Sequence, residues 1–153
     1  MELDGQKLEA SLEAHKDEAV SLLSDLVAFP STRGNAGPAM RHLQKQMAPV
    51  ADTSELVPVS DGIQDDPDYS FPLEDFTYKD QPNVRILKRG SGGGRSLIVN
   101  THMDVVPPSP GQEDPFEAHI KDGVLYGRGA CDCKGQVAML YLCLAALDEM
   151  GVQ

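Results

Sequence analysis

The sequence predicts an α/β fold, a sheet covered by helices, on three observations. Apolar residues recur at helical spacing in three stretches. Short β-rich segments lie between the second and third of them. Leu97-Ile98-Val99 is a continuous apolar run, the pattern of a strand buried on both faces of a sheet.

The first helix is read over residues 7–28, where Leu8, Leu12, Ala19, Leu22, Leu23, Leu26 and Val27 mark one face and Pro30 ends it. Asn35-Ala36-Gly37-Pro38 resets the chain, with Pro38 suited to a first helical turn. Met40, Leu43 and Met47 then give the stripe of a second helix that stops before Pro49. Leu56-Val57-Pro58-Val59 is a short extended segment, and its proline places it at a sheet edge or a strand end. Residues 61–80, rich in acids and proline, read as a long surface loop, either solvated or facing a substrate. Residues 83–88 and 96–100 read as strands, and the glycine-rich stretch Arg89-Gly90-Ser91-Gly92-Gly93-Gly94 between them predicts a hairpin. A phosphate cradle is the rejected alternative, because no helix start follows these glycines. Gly123-Val124-Leu125-Tyr126 is a further short strand. Residues 134–150 form a third helix with a broad apolar face, closed by Gly151.

Composition narrows the classes of function. A chain of 153 residues with 41% hydrophobic and 24% charged residues has the balance of one globular domain. The net charge of −11 and the lack of a Lys/Arg cluster argue against nucleic acid and against an anionic membrane as partners. Met1-Glu2-Leu3-Asp4 opens with acid, unlike a secretory leader, and no apolar run approaches the ~20 residues of a membrane span. Three cysteines, two of them one residue apart, do not make a disulfide framework, so a reducing cytoplasm is the expected location.

Two constellations carry chemistry. The first follows the apolar run: Asn100-Thr101-His102-Met103-Asp104. In extended chain, positions two apart share a face, so Asp104 can orient the His102 imidazole and leave its other nitrogen free for a metal. A surface histidine beside a turn-forming aspartate fits the same two residues. The second is Gly127-Arg128-Gly129-Ala130-Cys131-Asp132-Cys133-Lys134-Gly135, whose glycines allow a tight turn into the third helix. Asp132 there is either a helix N-cap or a carboxylate able to bridge two metal ions. A nucleotide-binding loop is excluded, since Cys133 and Gly135 flank Lys134 where Gly and Ser or Thr are required. A thiolate zinc site of His102, Cys131 and Cys133 is a rival, but one residue between cysteines is tight and their side chains diverge in extended chain.

Taken together these residues resemble a known family. His102-Met103-Asp104-Val105-Val106-Pro107, Asp114-Pro115-Phe116, the run from Asp122 to Gly129, then Asp132, Lys134 and Gly135 are similar to the metal-binding half of the acetylornithine deacetylase/succinyl-diaminopimelate desuccinylase family. Aminoacylases and glutamate carboxypeptidases are its wider relatives. The likeness covers residues 97–150 and extends more weakly to Phe29-Pro30-Ser31 and to Pro67-Asp68-Tyr69-Ser70-Phe71-Pro72. It implies the N-terminal portion of a three-layer αβα zinc-exopeptidase-like catalytic domain over residues 1–153. It also implies two zinc ions, replaceable by cobalt, that activate water against an amide carbonyl. Within that scheme His102 ligates one metal, Asp132 bridges both, and Asp104 is the catalytic carboxylate that orients His102. The implied substrate is a small N-acyl amino acid or a peptide-like amide, and the full-length form is a homodimer. The family commonly has Gly at the place of Thr101, Met at the place of Cys133, and a tryptophan before the Asp-Pro-Phe segment, which this chain lacks.

In that family the general-base Glu and the remaining ligands follow the region matched here, as does a lid or dimerisation domain. The resemblance therefore implies a chain that is inactive alone, binds zinc weakly and self-associates. His15, His42 and His119 are not convincing substitutes, and Glu113 and Glu117 receive no role from the resemblance. A second reading is a non-catalytic binding or assembly module that keeps the first half of the fold.

Overall fold

In a computed structural model, residues 4–70 and 74–152 are described. Phe71 and Pro72, part of the weaker upstream likeness, lie outside them. Helix α1 (Gly5–Val27) starts on Asp4, whose Oδ1 accepts from the backbone N–H groups of Gln6 at 3.0 Å and Lys7 at 3.3 Å. Its buried face is Ser11, Ala19, Leu22, Leu26 and Val27, and Leu26 and Val27 are fully enclosed. Helix α2 (Gly37–Met47) opens with Pro38 in its first turn and buries Ala39, Leu43 and Met47. Both helices follow the periodicity read from the sequence. Met40 packs at the margin of the core.

Strand β1 (Thr53–Val57) ends immediately before Pro58, and it pairs antiparallel with β2 (Asn83–Leu87) in the register Thr53↔Leu87 to Val57↔Asn83. Described residues of the loop between them are tied together by hydrogen bonds. Asp61 accepts from the Tyr78 N–H at 2.5 Å and from the Thr77 hydroxyl at 2.8 Å, bonds that hold its carboxyl below the usual range. Tyr69 and Tyr78 join their hydroxyls at 2.8 Å.

The hairpin expected across the glycines at 90–94 is not formed. β2 turns back to β1, and Asp52 seals that end by donating its N–H to Leu87 and accepting the Arg89 N–H. The strand expected at 96–100 is likewise absent among the described residues. Leu97, Ile98 and Val99 are 86%, 91% and 55% exposed. An apolar run becomes a central strand only where neighbours pair with both of its edges, and no described strand pairs with this one. The chain is α/β, as the sequence predicts. Among the described residues its sheets are two two-stranded ribbons.

The second ribbon joins β3 (His119–Lys121) to β4 (Val124–Tyr126) through Asp122-Gly123, both with positive φ. His119 stacks on the Tyr126 ring across this pair. Helix α3 (Gly135–Glu149) packs chiefly on α1, burying Val137, Ala138, Ala145 and Ala146. Ser11 of α1 donates to the Ala146 carbonyl at 3.3 Å, and Tyr141 donates to Glu18 at 3.0 Å. The stretch Ala130–Glu149 is long and apolar enough to cross a membrane by length and composition, contrary to the sequence reading. Its first five residues, however, are kinked, with non-helical backbone at Asp132 and Cys133. What remains is a 15-residue helix packed on α1, as a core helix would be.

Candidate metal centre

Two irregular segments meet beside the core. Residues 102–105 run along its edge with Met103 and Val105 turned inward and buried, and His102 and Asp104 turned outward. This is the alternation expected of extended chain. Residues 127–134 form a turn that glycines make possible. Gly129 has φ +80°, and a Cβ on it would overlap Val105. A Cβ on Gly127 would overlap Val27. Arg128 fastens the outer side, donating its N–H to the Pro115 carbonyl at 2.6 Å and its guanidinium to Gln112 and Ser109.

The N-cap role considered for Asp132 is not what it performs. The residue preceding α3 is Lys134, and no side chain caps this helix. The kink over Ala130–Lys134 turns the Asp132 carboxylate outward, 88% exposed, towards His102. Asp132 Oδ1 lies 3.3 Å from His102 Nε2, and Asp104 Oδ1 lies 3.4 Å from His102 Nδ1. The Asp104 carbonyl also stands 3.1 Å from Nδ1. With Nδ1–H donating to Asp104, the free lone pair of the imidazole is on Nε2, on the side of Asp132. The three residues singled out in the sequence are thus brought together.

The cysteines divide. Cys131 is exposed, whereas Cys133 is buried against the backbone of His102, accepting its N–H at 3.4 Å and donating to its carbonyl at 3.2 Å. Thr101 Oγ1 is 2.9 Å from the same sulfur. The rival site of one histidine and two thiols therefore fails, because its thiols face different ways. Donor atoms of His102, Asp132 and Cys133 lie within 4.8 Å of one another. A nitrogen and a carboxylate oxygen at this spacing fit zinc. The other histidines stand apart: His15 pairs with Glu18 and Glu149, and His42 faces Asp25 and the Phe29 ring. With the His102 and Asp132 side chains 53% and 88% exposed, the cluster is an open surface site, and a separate concavity lies between Arg33-Gly34 and residues 74–79.

Sequence reasoning noticed two residues without giving them a part. Ser31 and Lys134 are both fully buried. Lys134 Nζ donates to the Phe29 carbonyl at 2.8 Å, and burial pushes its pKa down to about 8. The only signal for either was membership of the motifs Phe29-Pro30-Ser31 and Asp132 to Gly135.

Known proteins resemble the chain over the same segment. Residues 98–153 match the model of Peptidase family M20/M25/M40. Over this segment the chain is similar to that family. Succinyl-diaminopimelate desuccinylase of Methylobacterium radiotolerans is 47% identical over 77 residues, 48% of this chain and 19% of that protein. The N-formyl-4-amino-5-aminomethyl-2-methylpyrimidine deformylase of Halalkalibacterium halodurans is 28% identical over 97% of this chain and 32% of its own length. The crystal structure of human carnosine dipeptidase 1 superposes with a TM-score of 0.60 and 26% identity, covering 97% of this chain and 32% of that one. The chain spans from 19% to 32% of the length of these three proteins.

Proposed function

We propose that this chain provides one side of the active centre of a metal-dependent hydrolase that cleaves the amide bond of N-acyl amino acids or related small amides. His102 and Asp132 would hold the zinc, with Asp132 the carboxylate that could be shared between two ions, and Asp104 fixes the imidazole. Cobalt can take the place of zinc. The observation that carries this reading is the placement of Asp132 Oδ1 3.3 Å from Nε2 of an imidazole whose Nδ1 faces Asp104. Zinc, when bound, supplies the Lewis acidity that polarises an amide carbonyl and makes water more acidic. The chain's own part is to orient the imidazole through Asp104, with Nε2 turned towards Asp132, and to keep the Asp132 carboxylate free of any helix cap. The desuccinylase and deformylase relatives, both named for removing an acyl group, support the substrate class. Three free cysteines suit a cytoplasmic protein, and a homodimer completes the reading of the full-length form.

Two protein ligands are one short of the usual catalytic zinc set, so the chain alone binds zinc weakly and does not turn over. The test is calorimetric zinc titration of the 153-residue chain beside a hydrolysis assay on N-acetyl and N-succinyl amino acids. Weak binding abolished by His102→Ala and by Asp132→Ala is expected. Binding untouched by both substitutions overturns the ligand assignment, and zinc-dependent turnover by the chain overturns its incompleteness. The alternative, a non-catalytic assembly module, draws support from the exposed Leu97-Ile98-Val99 run. Sedimentation as a stable, zinc-indifferent oligomer would favour it.

A further inference from the structure

Between the two arms of the centre lies the segment Phe29-Pro30-Ser31, and its hydrogen bonds reach both. The Ser31 hydroxyl donates to the Met103 carbonyl at 2.7 Å, and the Val105 N–H donates to the Ser31 carbonyl at 2.9 Å. Ser31 thus grips the residues on either side of Asp104. On the other arm, the Phe29 carbonyl accepts from Lys134 Nζ at 2.8 Å and from the Ser31 N–H at 2.7 Å. Lys134 itself donates its backbone N–H to the Gly129 carbonyl at 3.0 Å, which closes the turn that carries Asp132. A continuous chain of hydrogen bonds therefore runs from that turn, through Lys134, Phe29 and Ser31, to the segment holding His102 and Asp104.

Neither polar side chain at the centre of this chain is there for solubility. Ser31 and Lys134 are completely enclosed, and enclosing an ammonium is costly unless the position demands it. A hydrophobic residue would fill the space without that cost, but it would leave the Phe29 carbonyl with one donor fewer and the two arms joined only by packing and by the Cys133 thiol on the His102 backbone.

We propose that Phe29-Pro30-Ser31 is a strap that sets the separation of His102 and Asp132, with Ser31 and Lys134 as positioning residues that act through it. The proposal rests on the metal-ligand reading above for its consequence, but the strap itself is a mechanical claim testable without metal. If the strap transmits, loosening it at Lys134 is felt at Val105, which Lys134 does not hydrogen-bond.

The experiment is amide hydrogen exchange on the metal-free chain, comparing wild type, Lys134→Met and Ser31→Ala. Lys134→Met is expected to speed exchange at the Val105 N–H by about tenfold, the effect of one hydrogen bond's worth of local opening. Ser31→Ala is expected to do the same at the Lys134 N–H, and it serves alone should Lys134→Met fail to fold. Amides of β2 should stay as they are in both variants. Exchange unchanged at the distant arm, or rising in step with β2, overturns the strap. Zinc titration of the same proteins separates the two ideas. Both variants should bind about tenfold more weakly, and their effects should fall short of additive in the double variant. A wild-type chain that takes up no zinc sinks the ligand reading and leaves the exchange result to decide the strap.

Discussion

Replacing Gly129 by alanine should strain the turn that carries Asp132 and separate two costs that can be measured independently. Gly129 has φ +80°, where an L-residue costs on the order of 1–2 kcal/mol. Its missing Cβ also faces Val105 well inside van der Waals contact, and overpacking of this kind costs roughly 1–3 kcal/mol. The two together give about 2–5 kcal/mol. With an m-value of about 2 kcal/mol/M, urea denaturation followed by circular dichroism should show a midpoint lowered by roughly 1–2.5 M. The second cost has a distinctive reversal. Val105→Ala, which opens a small cavity in the wild-type chain, removes the overlapping methyl group in the Gly129→Ala background. It should therefore destabilise the first protein and stabilise the second. A Gly129→Ala midpoint within about 0.25 M of wild type, a change under about 0.5 kcal/mol, would refute the argument. So would a Val105→Ala effect of the same sign in both backgrounds.

Three further outcomes follow from the packing. Leu26→Ala, at a fully enclosed position of α1, should cost about 2–5 kcal/mol in the same assay, and a loss below about 1 kcal/mol would show that the core collapses around it. Glu18 accepts from His15 and from Tyr141 of α3, and these bonds lower its pKa, so its contribution to stability is present above the unfolded carboxyl value of about 4.3. That contribution fades as pH falls through the lowered folded value. The urea midpoint of Glu18→Gln should accordingly fall less than that of wild type between neutral and acid pH, and parallel curves would contradict this. Asp61→Ala releases the Tyr78 N–H and the Thr77 hydroxyl, and should speed limited proteolysis within residues 61–80 while leaving α1 intact.

The helices were legible because their determinants are local. Leu22, Leu26 and Pro30 fix α1, and Pro38 with Leu43 and Met47 fix α2, whatever lies elsewhere. Strand pairing was not, because β1 finds its partner across a long loop, and no pattern within Asn83–Leu87 says whether it pairs forwards or backwards. The β3–β4 hairpin has a local signal in Asp122-Gly123, a two-residue turn of hairpin type, but His119-Ile120-Lys121 is too short to show the alternation that marks a strand. Leu97-Ile98-Val99 misled for a plainer reason. Apolar composition states a preference for burial, and only neighbouring chain can satisfy it. At the centre, the spacing of His102 and Asp104 translated directly into geometry. The outward turn of Asp132 depends on a kinked backbone at 132–133 that no residue pattern announces. The burial of Lys134 ran against the usual behaviour of lysine, so its place beneath the site became visible only in the fold.

The most direct test of the whole account is anomalous diffraction at the zinc edge from crystals of this chain grown with zinc. The account predicts a peak about 2.0–2.1 Å from His102 Nε2 and about 2.0–2.2 Å from an Asp132 oxygen, with Asp104 still on Nδ1. A peak at His15 and Glu149, or at an exposed cysteine, with nothing between His102 and Asp132, would contradict it.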